Sequence, residues 1–271
     1  MAQKKVDLSI IIVNFNTSEL TLGCINNIRK YTRDLLYEII VVNNSDRAKE
    51  TKLLHSDLKE NDDIKILDTK NRGFGTANNA GAKIARGDYL LFLNSDTLLV
   101  NNSIKKMVDF LRDHAEIGAM TPLIFQPDGK TLQKHFFGDF PTIGSLTFRR
   151  WKGRNADISK QYFYAEMVSA ACMMIKKELY DKFNGFDQNF FMYCEDDDLC
   201  RRLHNAGYKN AVLTKAKIIH LEGGSTTNRK RLKMYYTSQS YYWQKHNGTF
   251  WRIIMEIIRW PYKTINFLLS K

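Results

Sequence analysis

The chain has 271 residues, 44% of them hydrophobic and 26% charged, with 41 Lys and Arg against 29 Asp and Glu for a formal net charge of +12. That length can bury one sizeable core, or a core with an appendage. Repeats, low-complexity tracts and any run of about 18 uncharged apolar residues are absent, which sets aside solenoid, disordered and membrane-spanning readings, while the charge calls for an anionic partner or surface.

In chain order, residues 8–13 read as a buried strand, too short and too soon followed by polar residues to be a secretory signal core. A helix over 18–31, capped by Thr17 or Ser18, leads to a strand over 38–42. A polar helical segment near 47–59, a strand over 64–67, a helix over 75–85 stopping at Gly87, and a strand over 89–93 complete an alternating pattern. These strands are near-continuous apolar runs, the mark of parallel strands covered by helices on both faces. A helix over 103–114, a strand over 117–121 and a turn at Asp128-Gly129 follow. Residues 130–164, with Arg149, Arg150 and Trp151 together, read as loops and short elements over the active face. Strand character returns over 167–175, then helices over 176–183 and 193–206, then strands over 211–213 and 216–219.

Cys24, Cys172, Cys194 and Cys200 form no C-x-x-C pair, which argues for buried, reduced thiols in a cytosolic protein. The positive charge is uneven. From 229 to 271, nine Lys or Arg oppose one acid, Glu256, and interleave with aromatic residues such as Tyr235, Tyr242, Trp251 and Trp260. This predicts a basic, aromatic helical extension over 227–271, separate from an α/β unit over 1–226 with a mostly parallel central sheet flanked by helices.

Each early strand ends in short polar residues: Asn14-Phe15-Asn16, Asn43-Asn44-Ser45-Asp46, Asn71-Arg72-Gly73-Phe74-Gly75 and Asn94-Ser95-Asp96. Ligands of open parallel sheets bind outside the carboxyl ends of the strands, so four such ends predict one polar crevice, although each alone would also serve as a turn or helix cap. There is no G-x-G-x-x-G after the first strand and no P-loop. Gly73-Phe74-Gly75 instead fits a tight loop that lets backbone approach a phosphate or ribose and opens a helix whose N-terminus favours anions. The pattern suggests a nucleoside diphosphate held by backbone, Asn side chains and a metal. Asp96 is the candidate metal carboxylate, and His220, ending the last core strand, is a second candidate ligand. An imidazole ligand tilts the choice toward manganese over magnesium.

The run Glu195-Asp196-Asp197-Asp198 opens a helix, where acids suit the macrodipole, yet four adjacent carboxylates exceed what capping needs. Asp196 shares a face with Leu199 and Leu203, so it leans toward the core and suits a general base of raised pKa. Asp198 lies near Arg201 and Arg202, where an ion pair is the plain expectation.

At these residues, over about 7–226, the sequence resembles the family 2 glycosyltransferases of GT-A (Rossmann-like) fold, in the bacterial rhamnosyltransferase-like branch. The motifs that carry it are Ile12-Val13-Asn14-Phe15-Asn16, Val41-Val42-Asn43-Asn44-Ser45, Asn71-Arg72-Gly73-Phe74-Gly75 with Asn78-Asn79, and Leu93-Asn94-Ser95-Asp96. Asn184-Gly185-Phe186-Asp187, the acidic run, and His220 with Gly223-Gly224-Ser225 complete them. The resemblance implies an inverting hexosyl transfer from a nucleoside-diphosphate sugar, with dTDP-L-rhamnose favoured over a UDP-sugar. It assigns the donor site to Asn14, Asn16, Asn43, Asn44, Asn71, Gly73, Phe74, Gly75, Asn78, Asn94 and Ser95. It assigns Mn2+ or Mg2+ to Asp96 and His220, and the catalytic base to Asp196 in the Glu195-Asp196 pair. Asn94 stands where the metal motif more often has Asp, and Asn43 where Asp often reads the base. The acceptor implied is polyprenyl-linked or an oligosaccharide, in O-antigen or capsule synthesis. The extension would then hold the enzyme peripherally on an anionic membrane surface, at the inner face of the bacterial cell membrane. Otherwise it packs on the core or makes a homodimer contact. A non-catalytic basic protein binding nucleic acid or nucleotide is the competing reading. A carboxylate run that repels phosphates argues against a nucleic-acid partner, and Asp96 with Asp196 argues against lost chemistry.

Overall fold

Four apolar strands align in parallel at one side of the sheet. The structure, a computed structural model, describes residues 6–59, 63–142, 157–221 and 228–269. The Arg149-Arg150-Trp151 cluster and the Gly223-Gly224-Ser225 motif lie outside the described residues. β1 (Leu8–Asn14) sits between β2 (Tyr37–Asn43) and β4 (Tyr89–Asn94), and β3 (Ile64–Asp68) pairs the far side of β2. Ile10, Ile11 and Ile12 are all fully buried. Successive strand residues point to opposite faces, so this needs cover on both. The helices α1 (Ser18–Tyr31), α2 (Ala48–Leu58) and α3 (Phe74–Ile84) connect these strands. α3 lies on the face carrying Ile11 and Val42, where a side chain at Gly81 would meet both.

The sheet continues past β4 with mixed direction. β5 (Thr97–Leu99), α4 (Ser103–Asp113) and β6 (Ile117–Phe125) come next in the chain. β7 (Phe137–Gly138), β8 (Tyr162–Ala165), β9 (Met167–Val168), β10 (Cys172–Lys176), α5 (Lys177–Lys182), α6 (Glu195–Asn205) and β11 (Lys209–His220) follow. The order is β3-β2-β1-β4-β10-β6-β11-β5, with β8 also on β11 and β7 paired to β9. β10 runs antiparallel to both β4 and β6, while β11 runs parallel to β6. Six strands of this sheet (β1–β4, β6 and β11) therefore share one direction, and β5, β8 and β10 oppose them.

Several expectations need correction. The strand predicted over 167–175 is two, because residues 169–171 leave the β7 pairing before β10 begins. The strands predicted over 211–213 and 216–219 are one, with a register shift between Leu213 and Lys217 that reads in sequence as a break. β10 is as continuously apolar as β1 yet antiparallel, since such a run reports burial on both faces rather than direction. Asp128-Gly129 does turn the chain, with Phe125 bridged to Leu132. All four cysteines are free and buried, and burial pushes the Cys24 thiol up to about 12.

The extension is a helical hairpin. α7 (Asn228–Leu269) breaks at Gly248, whose φ of 87° suits glycine. Its halves fold together: Arg259 Nη1 donates to Gln239 Oε1 at 2.6 Å and Asn266 Nδ2 to Tyr236 Oη at 2.8 Å. The first half docks on the core through Ser238 Oγ donating to the Met192 carbonyl at 2.7 Å. Tyr242, Trp243 and Met255 are buried with Phe190 and Cys194.

Candidate active site

The strand-end residues form a ladder because β1, β2 and β3 end in register, Asn14 opposite Asn43 and Asn43 opposite Asp68. Asn14 Nδ2 donates to Asn43 Oδ1 at 3.0 Å, and Asn43 Nδ2 donates to Asp68 Oδ1 at 2.7 Å. His55 Nε2 meets the other Asp68 oxygen at 2.8 Å. Asn14 Oδ1 also accepts from Thr17 and Thr21, and Asn44 Oδ1 accepts from Thr69 Oγ1. These amides are committed to tying the strand ends together. Asn16 differs: its φ is 57°, its Nδ2 donates to Asp46 at 2.7 Å, and its Oδ1 is buried without a partner among the described residues. A buried orphan acceptor is costly unless a ligand satisfies it. Ser95 Oγ lies 3.2 Å from Thr17 Oγ1, tying β4's end to the start of α1.

The glycine loop has an intramolecular reason as well. A side chain on Gly73, at φ 105°, would come within 2.3 Å of the Phe191 carbonyl oxygen, and the Phe74 N–H donates to that oxygen at 2.9 Å. One on Gly75 would crowd Phe186 at 3.0 Å and come into ordinary contact with Glu195. Asn71 Oδ1 accepts the Gly73 N–H at 3.1 Å, and Asn78 Nδ2 donates back to the Phe74 carbonyl at 3.0 Å. The loop thus joins the start of α3 to the segment before α6.

Asp96 and His220 meet through β5, an element too short to be legible in sequence. Thr97 pairs with His220 across β5 and β11, and the Leu221 N–H donates to the Asp96 carbonyl. His220 Nδ1 lies 3.1 Å from Gln133 Oε1, and Nε2 lies 3.3 Å from Asn94 Nδ2. The same Nε2 lies 3.0 Å from Asp96 Oδ1, the distance of a His–Asp pair. Two such atoms so close need a proton or a cation between them. Neighbouring ligands on an octahedral ion, each about 2.1 Å from it, lie about 3 Å apart, so the pair fits a divalent cation. Asn94 stands beside the pair, its Nδ2 3.3 Å from His220 Nε2. Among the described residues no third His, Cys, Asp or Glu joins them.

The acidic run is aimed by a strained turn. Tyr193 and Cys194 both adopt left-handed backbone, φ 70° and 64°, a conformation costly for non-glycine residues. Asp196 Oδ2 accepts the Ala170 N–H at 3.0 Å and Oδ1 the Asp197 N–H at 3.0 Å. Burial nevertheless raises its pKa from the ordinary aspartate value. Glu195 is buried with Oε2 unpartnered among the described residues, and burial together with Asp196 pushes it well up; burial, Asp196 and Asp198 do the same to Asp197. Asp198 turns the other way. Burial opposes its charge, but the hydrogen bond from His246 at 2.8 Å, Arg202 at 2.9 Å and Lys245 at 2.7 Å hold it below the usual range. Of its two expected partners only Arg202 pairs with it. Arg201 lies over the Phe140 and Tyr242 rings.

A cleft of about 750 Å³ gathers part of this set: Phe74, Asn94, His220, Glu195, Asp196 and Asp197 line it, along with Gln133 and Ala170. Tyr235, Gln239, Arg259 and Tyr262 of the hairpin line it as well. Sequence reasoning missed this wall, because Arg259 reads there as one more surface charge. Asn14, Asn16, Asn43, Asn44, Asn71, Gly73, Gly75, Asn78, Ser95 and Asp96 are not among the residues that line that cleft.

The description "Glycosyl transferase family 2" matches residues 9–183, and "N-terminal domain of galactosyltransferase" matches residues 150–224. The chain is 27% identical over 223 residues to the rhamnosyltransferase WbbL of Escherichia coli, covering 78% of this chain and 82% of that one. It is 25% identical over 185 residues to the N-acetylglucosaminyl-diphospho-decaprenol L-rhamnosyltransferase of Mycobacterium tuberculosis, covering 60% of each. Its fold is similar to the mannosyltransferase PcManGT of Pyrobaculum calidifontis, in complex with GDP-Man and Mn2+, at TM-score 0.67 and 13% identity over 99% of this chain and 74% of that one. GalNAc-T7 with UDP, GalNAc and Mn2+ gives TM-score 0.65 at 16% identity over 89% and 50%. A GT-A-like sheet, the cleft at its strand ends and a family match over more than half its length together make this chain a member of glycosyltransferase family 2, similar to rhamnosyltransferases of that family.

Proposed function

We propose that the chain catalyses inverting transfer of L-rhamnose from dTDP-L-rhamnose to a hydroxyl of a lipid-linked or oligosaccharide acceptor in bacterial cell-surface polysaccharide synthesis. The supporting observation is the Asp196 carboxylate, of raised pKa and anchored on the Ala170 N–H, opening on the cleft that Asn94 and His220 also line. The donor sugar rests on relatives named rhamnosyltransferases, and the acceptor class on the diphospho-decaprenol in one relative's name.

Asp196 takes the proton from the acceptor hydroxyl as its oxygen attacks the anomeric carbon. The bond to the diphosphate oxygen breaks on the opposite face, its electron pair leaves with the diphosphate, and the configuration inverts. Burial raises the pKa values of Glu195 and Asp197, which disfavours negative charge beside the base. Asp96 and His220 would hold Mn2+ or Mg2+, which when bound offsets charge on the departing diphosphate. A polyprenyl-linked acceptor sets the reaction at the inner membrane face, with the chain peripheral there. Among the described residues no helix is long and apolar enough to cross a membrane.

Thermal-shift titration with dTDP-, UDP- and GDP-sugars, with and without Mn2+, tests this. Metal-dependent stabilisation by dTDP-L-rhamnose is expected. A UDP-sugar acting alone would replace the donor, and no stabilisation by any of them would sink the proposal.

A further inference from the structure

The second half of α7 is inside out for a helix facing water. Met255 and Arg259 are buried, and Tyr262 and Asn266 line the cleft with Arg259, at the spacing of one helix face. The charges sit on or beside this inner face, where Glu256 pairs with Arg259 and lies 3.9 Å from Lys263. Every exposed residue from 249 to 269 is uncharged. Phe250, Ile253, Ile257, Trp260 and Leu268 follow one outward stripe and are 67, 48, 67, 67 and 78% exposed. Trp251 lies beside them at 46%. A contiguous apolar stripe of this kind marks a surface that something covers.

Charge decides what covers it. Eight Lys or Arg lie in α7 against Glu256 alone, and Arg229, Lys230, Arg231 and Lys233 are exposed at its start. A second copy docked on the same face would bring two such sets of cations together. Anionic headgroups complement them, and Trp at positions 251 and 260 suits the boundary between headgroup and acyl chain. A helical segment of this length, about 30 Å, lies along such an interface.

We propose that the outward stripe Phe250, Ile253, Ile257, Trp260 and Leu268 docks on an anionic lipid bilayer. The cleft, lined by the inner face of the same helix, is thereby held about one helix diameter, some 10 Å, from the headgroups. This deepens the proposed function and rests on it for the acceptor: a lipid-linked sugar would keep its tail in the bilayer while its head enters the cleft.

The test is cosedimentation of the full chain with phosphatidylcholine vesicles, with and without phosphatidylglycerol, alongside an Ile257→Asp/Trp260→Asp variant. Both positions are exposed, so dTDP-L-rhamnose stabilisation of the variant reports that the cleft is intact. The expected result is salt-sensitive binding to the anionic vesicles that falls about tenfold or more in the variant. An Arg229→Gln/Lys230→Gln/Arg231→Gln variant should lose most of the preference for phosphatidylglycerol. Absence of vesicle binding, undiminished binding by the aspartate variant, or a dimer in sedimentation velocity that the variant disperses would each overturn the docking. Vesicle binding without stabilisation by any nucleotide sugar would leave the docking standing and sink the transferase reading.

Discussion

His220 Nε2 lies 3.0 Å from Asp96 Oδ1 because the last residue of β11 pairs with Thr97 in β5. The pair is therefore a product of long-range sheet pairing, 124 residues apart in sequence. If it holds the metal, Asp96→Asn and His220→Ala should each leave metal-free nucleotide binding near wild type but cut the added stabilisation by Mn2+ to a small fraction. Thermal shift with dTDP and increasing Mn2+ reads this directly. Full Mn2+ stabilisation in both variants would place the ion elsewhere.

Gly73 should tolerate no side chain. Gly73→Ala forces a left-handed backbone on a residue whose methyl would sit 2.3 Å from the Phe191 carbonyl oxygen. A loss of about 2–4 kcal/mol is expected in denaturant unfolding. A loss near zero would mean that the Phe191 segment moves freely.

Asp198 clamps the hairpin to the core. Asp198→Ala leaves Arg202, Lys245 and His246 without their shared buried carboxylate, at a cost of about 3–5 kcal/mol. Limited proteolysis should then cut near Gly248 far faster than in the wild-type chain. Unchanged cleavage would show that Tyr242 and Trp243 hold the hairpin without it.

The acids carry opposite pH signatures. Glu195 and Asp197 have raised folded values, so the stability they contribute is full below about pH 4 and is lost as pH rises through those values. Glu195→Gln should therefore flatten the fall in Tm between acid and neutral pH. Asp187 is the reverse. Burial opposes its charge, but hydrogen bonds from Lys245, the Asn189 N–H and Tyr241 lower it to about 2. Its contribution is present above about pH 4 and is lost as pH falls toward 2. Parallel pH–Tm profiles for wild type, Glu195→Gln and Asp187→Asn check both signs.

Local pattern was enough for elements whose burial is set by their own sequence. The limits of α1 could be read from periodicity alone, and β1 to β4 from their apolar runs. What pattern could not carry was pairing. β5 is three residues long and exists because β11 lies beside it, and β10 has the composition of a parallel strand but opposes its neighbours. At the candidate site the carboxylates, His220 and the strand-end Asn residues stood out by type and position. Tyr193-Cys194 did not, since neither residue signals left-handed backbone, and Arg259 did not, since only the fold of α7 at Gly248 turns it into the cleft.

Asp196→Asn tests the central claim most directly. Asn keeps the size of the side chain and an oxygen for the Ala170 N–H, but it cannot take a proton from a hydroxyl. Transfer should be measured with the acceptor substrate under saturating donor, and donor affinity with dTDP-L-rhamnose by thermal shift. If Asp196 is the base, transfer falls about 100-fold or more while donor binding stays close to wild type. Near-normal turnover in Asp196→Asn would contradict it.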